Sequence, residues 1–328
     1  MTKCRVCGSD NVSSLGNVRY YIELTSTIYE CSSCGSRFTT HSTQAYEQLH
    51  ASEGSCYGLQ IETAARAKEV FDRGDLNALG EELSLNPKYG KVIRASHGLS
   101  KNSRVLEVGC SRGYLTSYFI LGGYDVRGTE ISQVARSAAI SDFGHFFYDP
   151  SDVTAVDGGP FDFIYHIGVI GCVADPVGLT NSLVDLLKPG GRLVFNAPNV
   201  NACWYRGQLW VDYAVPPDVV TLYKPGVWKR IFSKKAVVVE RVGTLSQEQS
   251  LQIAVKRILR RWKPPIPQPL NKGLSIYKFG PSYSLSLSDK VIHRAQSWAL
   301  MLFRRLHLLR VVPRKDAPFD IFIEMQKP

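Results

Sequence analysis

The run Val105-Leu-Glu107-Val-Gly109-Cys-Ser-Arg-Gly113 predicts a buried strand that turns sharply at Gly109 and leads into a helix near Tyr114. A glycine there lets the backbone come close to a ligand lying across the strand ends. The dinucleotide fingerprint G-x-G-x-x-G needs glycine where this chain has Ser111 and Tyr114, so the run fails as an NAD site. The acid Glu107, two residues before the first glycine, favours a cationic ligand instead.

A second acidic residue stands at the predicted end of the next strand. Glu130 follows Glu107 by 23 residues. An acid about 20 residues further on can accept hydrogen bonds from both hydroxyls of a ribose. Gly109 and Gly113 alone would also fit a plain tight turn, but the two acids in register favour a ligand site.

From residue 103 onward, short apolar runs alternate with helical stretches, which is the pattern of βαβ units on a parallel sheet. We predict a helix over 175–187, ended by the proline and glycines of Lys188-Pro-Gly-Gly191. The predicted strands are 104–108, 125–129, 144–148, 161–166 and 192–196, with 237–242 and 319–324 completing the sheet.

Four runs together resemble the class I methyltransferase superfamily over about 103–199. They are VLEVGCSRGYLT, VRGTEIS, FDFIYHIGVIGCV and LLKPGGRLVFNAPN. The resemblance implies an α/β fold of the Rossmann-like class I methyltransferase type, with a seven-stranded and mostly parallel sheet. It also implies S-adenosyl-L-methionine as the cofactor.

The same resemblance implies site residues. Many relatives carry Glu-His where this chain has Gly171-Cys172, so any role of that pair is not carried over. The implied cofactor residues are Glu107, Gly109 and Gly113 at the methionine and sulfonium end, Glu130 at the ribose, and Asp149 or Asp152 at the adenine amino group.

The catalytic residues are sought at the strand ends. Methyl transfer from a sulfonium needs an aligned nucleophile, and a sugar hydroxyl also benefits from a general base. His166, at the end of the fourth strand, is one candidate base; a histidine hydrogen-bonded beneath the cofactor fits equally well. Asp212 is the other candidate. It lies in a segment whose aromatic residues would hold a sugar or base, or pack as a lid: Trp204, Tyr205, Trp210, Tyr213 and Tyr223.

Two Cys-x-x-Cys-Gly units open the chain and predict a structural zinc ribbon. The cysteines are Cys4, Cys7, Cys31 and Cys34. Four thiolates can bind Zn²⁺ tetrahedrally and leave no open position for catalysis.

The positive charge is concentrated in one segment. Residues 246–315 contain 14 Lys or Arg and two acids, whereas the whole chain has a net charge of +10. Within it, 289–310 predicts an amphipathic helix with several arginines. Such a helix packs on its own domain or contacts an anionic membrane surface; binding of pyrophosphate or nucleic acid is the third alternative.

The combination of zinc ribbon, class I core and basic insertion resembles bacterial methyltransferases of glycan and nucleotide-sugar biosynthesis. It implies a sugar or glycan substrate, with O-methylation the simpler expectation and C-methylation open. An RNA methyltransferase is the main alternative, although Asn196-Ala-Pro-Asn199 lacks the Asn/Asp-Pro-Pro-aromatic motif of base amino methylation. A non-catalytic scaffold that binds the cofactor is the third.

The expected domains follow from these features. They are a zinc ribbon at 1–42, N-terminal helices at 43–100, the cofactor-binding core at 101–245, a basic helical insertion at 246–317 and a final core strand at 318–328. The N-terminus contains no apolar run. We therefore expect a cytoplasmic protein, with peripheral contact to the inner face of the membrane as an option.

Overall fold

The computed structural model describes residues 2–19, 25–40, 58–150, 159–206, 209–211, 216–244, 247–259, 287–306, 308–312 and 316–328. The chain divides into two compact units. The first unit comprises Met1–Thr40, Pro198–Pro225 and Arg241–Ile321. The second comprises His41–Ala197, Gly226–Glu240 and Phe322–Pro328.

The described residues form strands and helices that are numbered here in chain order. The strands are β1 (Val12–Arg19), β2 (Thr25–Cys31), β3 (Arg37–Phe38), β4 (Arg104–Val108), β5 (Asp125–Thr129), β6 (Phe147–Tyr148), β7 (Phe161–His166), β8 (Leu187–Pro198), β9 (Thr221–Leu222), β10 (Val237–Thr244) and β11 (Asp316–Gln326). The helices are α1 (Gly58–Asp72), α2 (Leu76–Ser84), α3 (Pro87–Ala95), α4 (Thr116–Leu121), α5 (Gln133–Phe143), α6 (Pro176–Asp185), α7 (Asn201–Arg206), α8 (Val227–Phe232), α9 (Gln247–Leu259) and α10 (Leu287–Arg305), with a 3₁₀ helix at Leu308–Val311.

A seven-stranded sheet has the order β10-β11-β8-β7-β4-β5-β6. The pairs β4–β5, β4–β7, β5–β6 and β7–β8 are parallel. Strand β11 runs antiparallel to β8, because Gly190 bonds to Lys327 at one end while Asn199 bonds to Phe319 at the other. The predicted α/β fold of the Rossmann-like methyltransferase type, with a mostly parallel sheet, is therefore confirmed.

The order of the sheet gives β4 a special position. The chain continues from β4 to β5 and β6 on one side and then returns to place β7 on the other side of β4, so the direction of strand addition reverses there. In open α/β sheets, ligands bind outside the carboxyl ends of the strands at such a switch point. The run that follows β4 lies there.

Four helices of the second unit begin at residues with suitable capping chemistry. Asp75 and Asn86 accept hydrogen bonds from the first turns of α2 and α3, and Ser132 does the same for α5. Asp175 accepts from the Gly178 amide at 2.8 Å, and Pro176 occupies the first turn of α6.

Aromatic rings fill the core beneath β4. Phe119 of α4 packs on Phe163 and Tyr165 of β7, with ring centroids 6.1 and 5.1 Å away. All three side chains are buried. Their large apolar area, removed from water, stabilises the contact between helix and sheet.

Several predicted boundaries differ from the observed ones. Strand β6 is shorter than the predicted 144–148, whereas β8, β10 and β11 are longer than the predicted 192–196, 237–242 and 319–324. The predicted end of the helix over 175–187 is also wrong. Helix α6 ends at Asp185, and Lys188-Pro-Gly-Gly191 belongs to β8. The pairing with β7 jumps from Leu187 to Arg192 while β7 advances only from Phe161 to Phe163. The proline and glycines thus form a bulge inside the strand, a known place for residues that a regular ladder does not accept.

In the first unit, β1, β2, β3 and β9 form a second sheet in that order. Strands β1 and β2 pair antiparallel, as do β2 with β3 and β3 with β9. Helices α9 and α10 pack on each other. Among the described helices, none is long and apolar enough to cross a membrane.

Candidate functional site

The turn after β4 depends on Gly109. Its φ is +71°, and the amides of Gly109 and Cys110 both donate to the carbonyl oxygen of Thr129, at 2.8 and 2.9 Å. A Cβ at this position would come within 3.0 Å of the Val169 side chain. Glycine alone meets both the backbone angle and the lack of space.

Ser111 is the one non-glycine residue with positive φ in the described part of the chain, at +51°. This backbone region is sparsely populated for side chains other than those of glycine, asparagine and aspartate. The Ser111 amide donates to Glu130 Oε2 at 2.8 Å, and its hydroxyl donates to Gln60 Oε1 at 2.9 Å. These two bonds hold the residue in that conformation.

Gly113 lies against the core. Its φ is +73°, and a Cβ would come within 3.0 Å of the Phe147 ring and 3.1 Å from Ala139 Cβ. The loop approaches β6 and α5 so closely that a side chain at position 113 would clash, which explains the glycine. Its predicted place beside the methionine end of a cofactor stays a prediction.

Glu130 follows β5 and is buried. Its Oε2 accepts from the Ser111 amide and its Oε1 accepts from the Ser132 amide, each at 2.8 Å. A carboxylate offers about four acceptor positions, so about two remain for ligand hydroxyls. The geometry fits the predicted ribose contact.

Arg136 connects Glu130 with Asp149. It donates to the Glu130 carbonyl oxygen at 2.6 Å and forms an ion pair with Asp149 at 3.1 Å. Asp149, a predicted adenine contact, therefore lies next to the end of β5, directly after β6. The alternative contact, Asp152, lies outside the described residues.

Glu107 is buried at the penultimate position of β4. Thr116 and Tyr165 both donate hydrogen bonds to its Oε2, the latter at 2.9 Å. Burial raises the pKa of Glu107 to about 8, even though the bonds from Thr116 and Tyr165 act to lower it. A cationic ligand beside it would favour the ionised carboxylate.

These groups fit S-adenosylmethionine in their chemistry. Two buried acids stand at the carboxyl ends of the neighbouring strands β4 and β5, at the switch point of the sheet. One suits the cationic end of the cofactor and the other suits the ribose. The sequence did not predict Thr116 and Arg136 as positioning groups, nor the hydrogen bond from Tyr165 to Glu107, since nothing in their local pattern marks them as partners of the acids.

The candidate base His166 is fully buried at the end of β7. Its ring stacks on Phe195, with centroids 4.7 Å apart, and neither ring nitrogen has a hydrogen-bond partner among the described residues. Burial lowers the pKa of His166 to about 3. A catalytic role for His166 stays a prediction, and Asp212 lies outside the described residues.

Two aromatic residues of the segment after β8 do not offer exposed faces. Trp210 and Tyr223 are both completely buried. These two residues therefore pack in the interior and do not present a face to a sugar or base. The side chains of Trp204 and Tyr205, and all of Tyr213, lie outside the described part.

The four predicted zinc ligands come together in the first unit. Their Sγ atoms all lie within 4.8 Å of one another. The pairs Cys4–Cys34 and Cys7–Cys31 are 3.6 and 3.5 Å apart. A tetrahedral zinc with bonds of about 2.3 Å needs sulfur atoms about 3.8 Å apart, so the cluster fits the ion.

The two halves of the cluster have the same backbone geometry. Gly8 donates to the Cys4 carbonyl at 2.8 Å and Gly35 donates to the Cys31 carbonyl at 2.7 Å. Both glycines have φ near +70°. The glycine after each second cysteine is thus explained by a turn that needs a left-handed residue.

A group of buried polar atoms in the first unit was not predicted. In the described part of the chain, the atoms Arg5 Nη1, Thr39 Oγ1, Asn199 Nδ2 and Thr221 Oγ1 have no hydrogen-bond partner. Register places Thr221 opposite Phe38, beside Thr39, while Asn199 lies beside Tyr223. Buried polar atoms are nearly always paired, so this group calls for an explanation.

Comparison with known proteins finds matches to the core. Residues 81–236 match the family model described as a methyltransferase domain. The ubiquinone biosynthesis O-methyltransferase of Pectobacterium atrosepticum is 29% identical over 138 residues, or 39% of this chain and 57% of the relative. The corresponding protein of Coxiella burnetii is 31% identical over 123 residues, or 36% and 52%. The chain thus spans about half the length of the curated relatives it matches.

A solved structure of similar type is a SAM-dependent methyltransferase from Archaeoglobus fulgidus. It shares 15% identity and has a TM-score of 0.42, covering 73% of this chain and 92% of that chain. Residues 81–236 of this chain, somewhat less than half of it, are thus similar to a methyltransferase domain.

Proposed function

We propose that this protein is an S-adenosylmethionine-dependent methyltransferase that acts on a sugar, either as a nucleotide sugar or within a surface glycan, with O-methylation as the expected reaction. The observation that carries the proposal is the pair of buried acids, Glu107 and Glu130, at adjoining strand ends. The cofactor supplies an electrophilic methyl group when bound.

The chain's own residues have distinct tasks in this proposal. Glu107 would lie at the cationic end of the cofactor, with its carboxylate fixed by hydrogen bonds from Thr116 and Tyr165. Glu130 would accept hydrogen bonds from the ribose hydroxyls, and the bonds it accepts from the Ser111 and Ser132 amides keep it in place. Positioning of this kind lowers the barrier by holding the reactants in an aligned geometry.

The sugar part rests on the resemblance of the zinc ribbon, the class I core and the basic insertion to methyltransferases of glycan and nucleotide-sugar biosynthesis. The four-cysteine cluster of the first unit fits the ribbon of that arrangement. The matched relatives named as O-methyltransferases support oxygen as the nucleophile.

Two alternatives are set against this proposal. The basic segment 246–315 favours RNA, because cationic side chains bind phosphates without regard to sequence. A scaffold that binds the cofactor without turnover is the other.

One experiment separates all three. The full chain is given methyl-labelled S-adenosylmethionine and, separately, total RNA and a bacterial extract of nucleotide sugars and lipid-linked glycans. Label in the glycan fraction supports the proposal. Label in RNA alone, or cofactor binding with no label in either fraction, contradicts it.

A further inference from the structure

Helix α10 carries large apolar side chains on its solvent-exposed face. Trp298 is 70% exposed, Val291 58%, Met301 54% and Leu302 49%. Val291, Trp298 and Leu302 follow at spacings of seven and four residues, so they line one side of the helix. An exposed tryptophan among exposed aliphatic residues is unusual for a surface that meets only water.

The opposite side of α10 is the one that packs. Helices α9 and α10 are in contact, and Gln296 Nε2 donates to the Gln252 carbonyl at 2.8 Å. Leu300 and Phe303 are partly buried on this side. Among the described residues, α9 is therefore a packing partner of the helix, and the apolar face with Trp298 stays exposed.

The charge around this face has a single sign. Lys290 to Lys315 contains seven Lys or Arg and no Asp or Glu. Arg294 and Arg305 are exposed and lie on the same side as Trp298, at helical spacings of four and seven residues. Long arginine side chains can extend past apolar neighbours and keep their guanidinium groups at a polar layer.

We propose that the exposed face of α10, with Val291, Arg294, Trp298, Met301 and Arg305, binds the surface of an anionic lipid bilayer. Lipid headgroups supply phosphates for the arginines, and the acyl boundary takes up the apolar side chains. Tryptophan is favoured at that boundary because its ring is apolar while its N–H is polar. The 19-residue helix spans about 28 Å and would lie along the surface.

The charge argues against the other occupants. A second copy of the chain would place the same cationic face against itself, and like charges brought together across an interface cost affinity. Nucleic acid would pair with the arginines but would leave Val291, Trp298 and Leu302 without an apolar partner. Only an anionic lipid surface matches both parts of the face.

The test is co-sedimentation of the full chain with vesicles and needs neither cofactor nor acceptor, so its result is independent of the proposed function. Vesicles of phosphatidylcholine alone are compared with vesicles containing one part in three phosphatidylglycerol. We expect binding to the anionic vesicles only, and weaker binding as salt is raised.

Matched variants identify the face. The double variant Arg294→Gln/Arg305→Gln should weaken binding roughly thirtyfold, since each cation near an anionic surface contributes about fivefold. Trp298→Ser should weaken it about tenfold. Leu85→Ser is the control, because Leu85 is 75% exposed but lies outside this face.

Three results would overturn the proposal. They are no binding to anionic vesicles at low salt, equal binding by Trp298→Ser and Leu85→Ser, and a dimer in sedimentation velocity that Trp298→Ser dissociates. The last would show that a second copy covers the face.

Discussion

The hydroxyl of Tyr165 donates a 2.9 Å hydrogen bond to the buried carboxylate of Glu107 and thereby joins β7 to β4. The bond crosses the strand pair at the switch point of the sheet, beneath the loop that carries Gly109. It fixes the orientation of an acid for which burial raises the pKa to about 8. The ionisation of Glu107 should therefore be visible in the stability of the protein.

We predict that stability falls as the pH rises from 6.5 to 8. The folded-state pKa of Glu107 lies above its unfolded value of about 4.3, so the folded state holds the proton more tightly. The stability from that proton is lost as the pH approaches the folded pKa, by about 2 kcal/mol across this window. Urea unfolding at pH 6.5 and pH 8 measures the difference in the free energy of unfolding. Glu107→Gln should flatten the dependence; an unchanged slope would refute the assignment.

His166 predicts the opposite slope in acid. Burial depresses its folded pKa to about 3, below an unfolded value of about 6.5. Its contribution to stability is present above pH 6.5 and is lost as the pH falls toward 3. Between about 4.5 and 6.5 the two groups offset each other, so a plateau is expected. In His166→Phe the acid limb should shrink, and an identical acid limb would contradict the buried neutral ring.

The four-cysteine cluster of the first unit should bind zinc. We expect one zinc ion per chain by elemental analysis, lost in Cys31→Ser because three thiolates bind the ion far more weakly than four. Cys203→Ser is the control, since Cys203 is a buried cysteine of the same unit outside the cluster. Equal zinc content in both variants would show that the cluster is not the metal site.

The stability lost on replacing Gly113 has two contributions, one from close packing and one from the backbone angle, and two variants separate them. Gly113→Ala and Gly74→Ala both place alanine at φ near +72°, which costs about 1 kcal/mol. Only at Gly113 does the new Cβ meet Phe147; at Gly74 nothing lies within 4 Å. Thermal unfolding should show an additional loss of roughly 1–3 kcal/mol for Gly113→Ala. Equal losses would mean that Phe147 moves aside without cost.

Much of the core follows from local pattern. The strands β4, β5 and β7 have the bounds predicted from their apolar runs, because a buried parallel strand needs a short continuous apolar stretch. The cysteine cluster was predictable for a similar reason, because the spacing of the cysteines and the following glycines, Gly8 and Gly35, indicate a local turn.

Other features depend on contacts that the local pattern does not contain. The residues Lys188-Pro-Gly-Gly191 have the composition of a helix end, although they form a bulge within β8. Only their pairing register with β7 distinguishes a bulge from a helix end. The burial of His166 depends on Phe195 in the neighbouring strand. The bonds from Thr116 and Tyr165 to Glu107 arise where three separate elements meet, so their residue types alone do not mark them.

The most direct measurement is the affinity for S-adenosylmethionine by isothermal titration calorimetry of the wild type, Glu130→Ala and Glu82→Ala. Glu82→Ala is the matched control, since it removes a carboxylate from a surface ion pair with Arg66. We predict one site per chain in the wild type, an affinity lowered on the order of a hundredfold in Glu130→Ala through two lost hydrogen bonds to the ribose, and no change in Glu82→Ala. No binding by the wild type, or equal affinity in Glu130→Ala, would contradict the assignment of the cofactor site at the ends of β4 and β5.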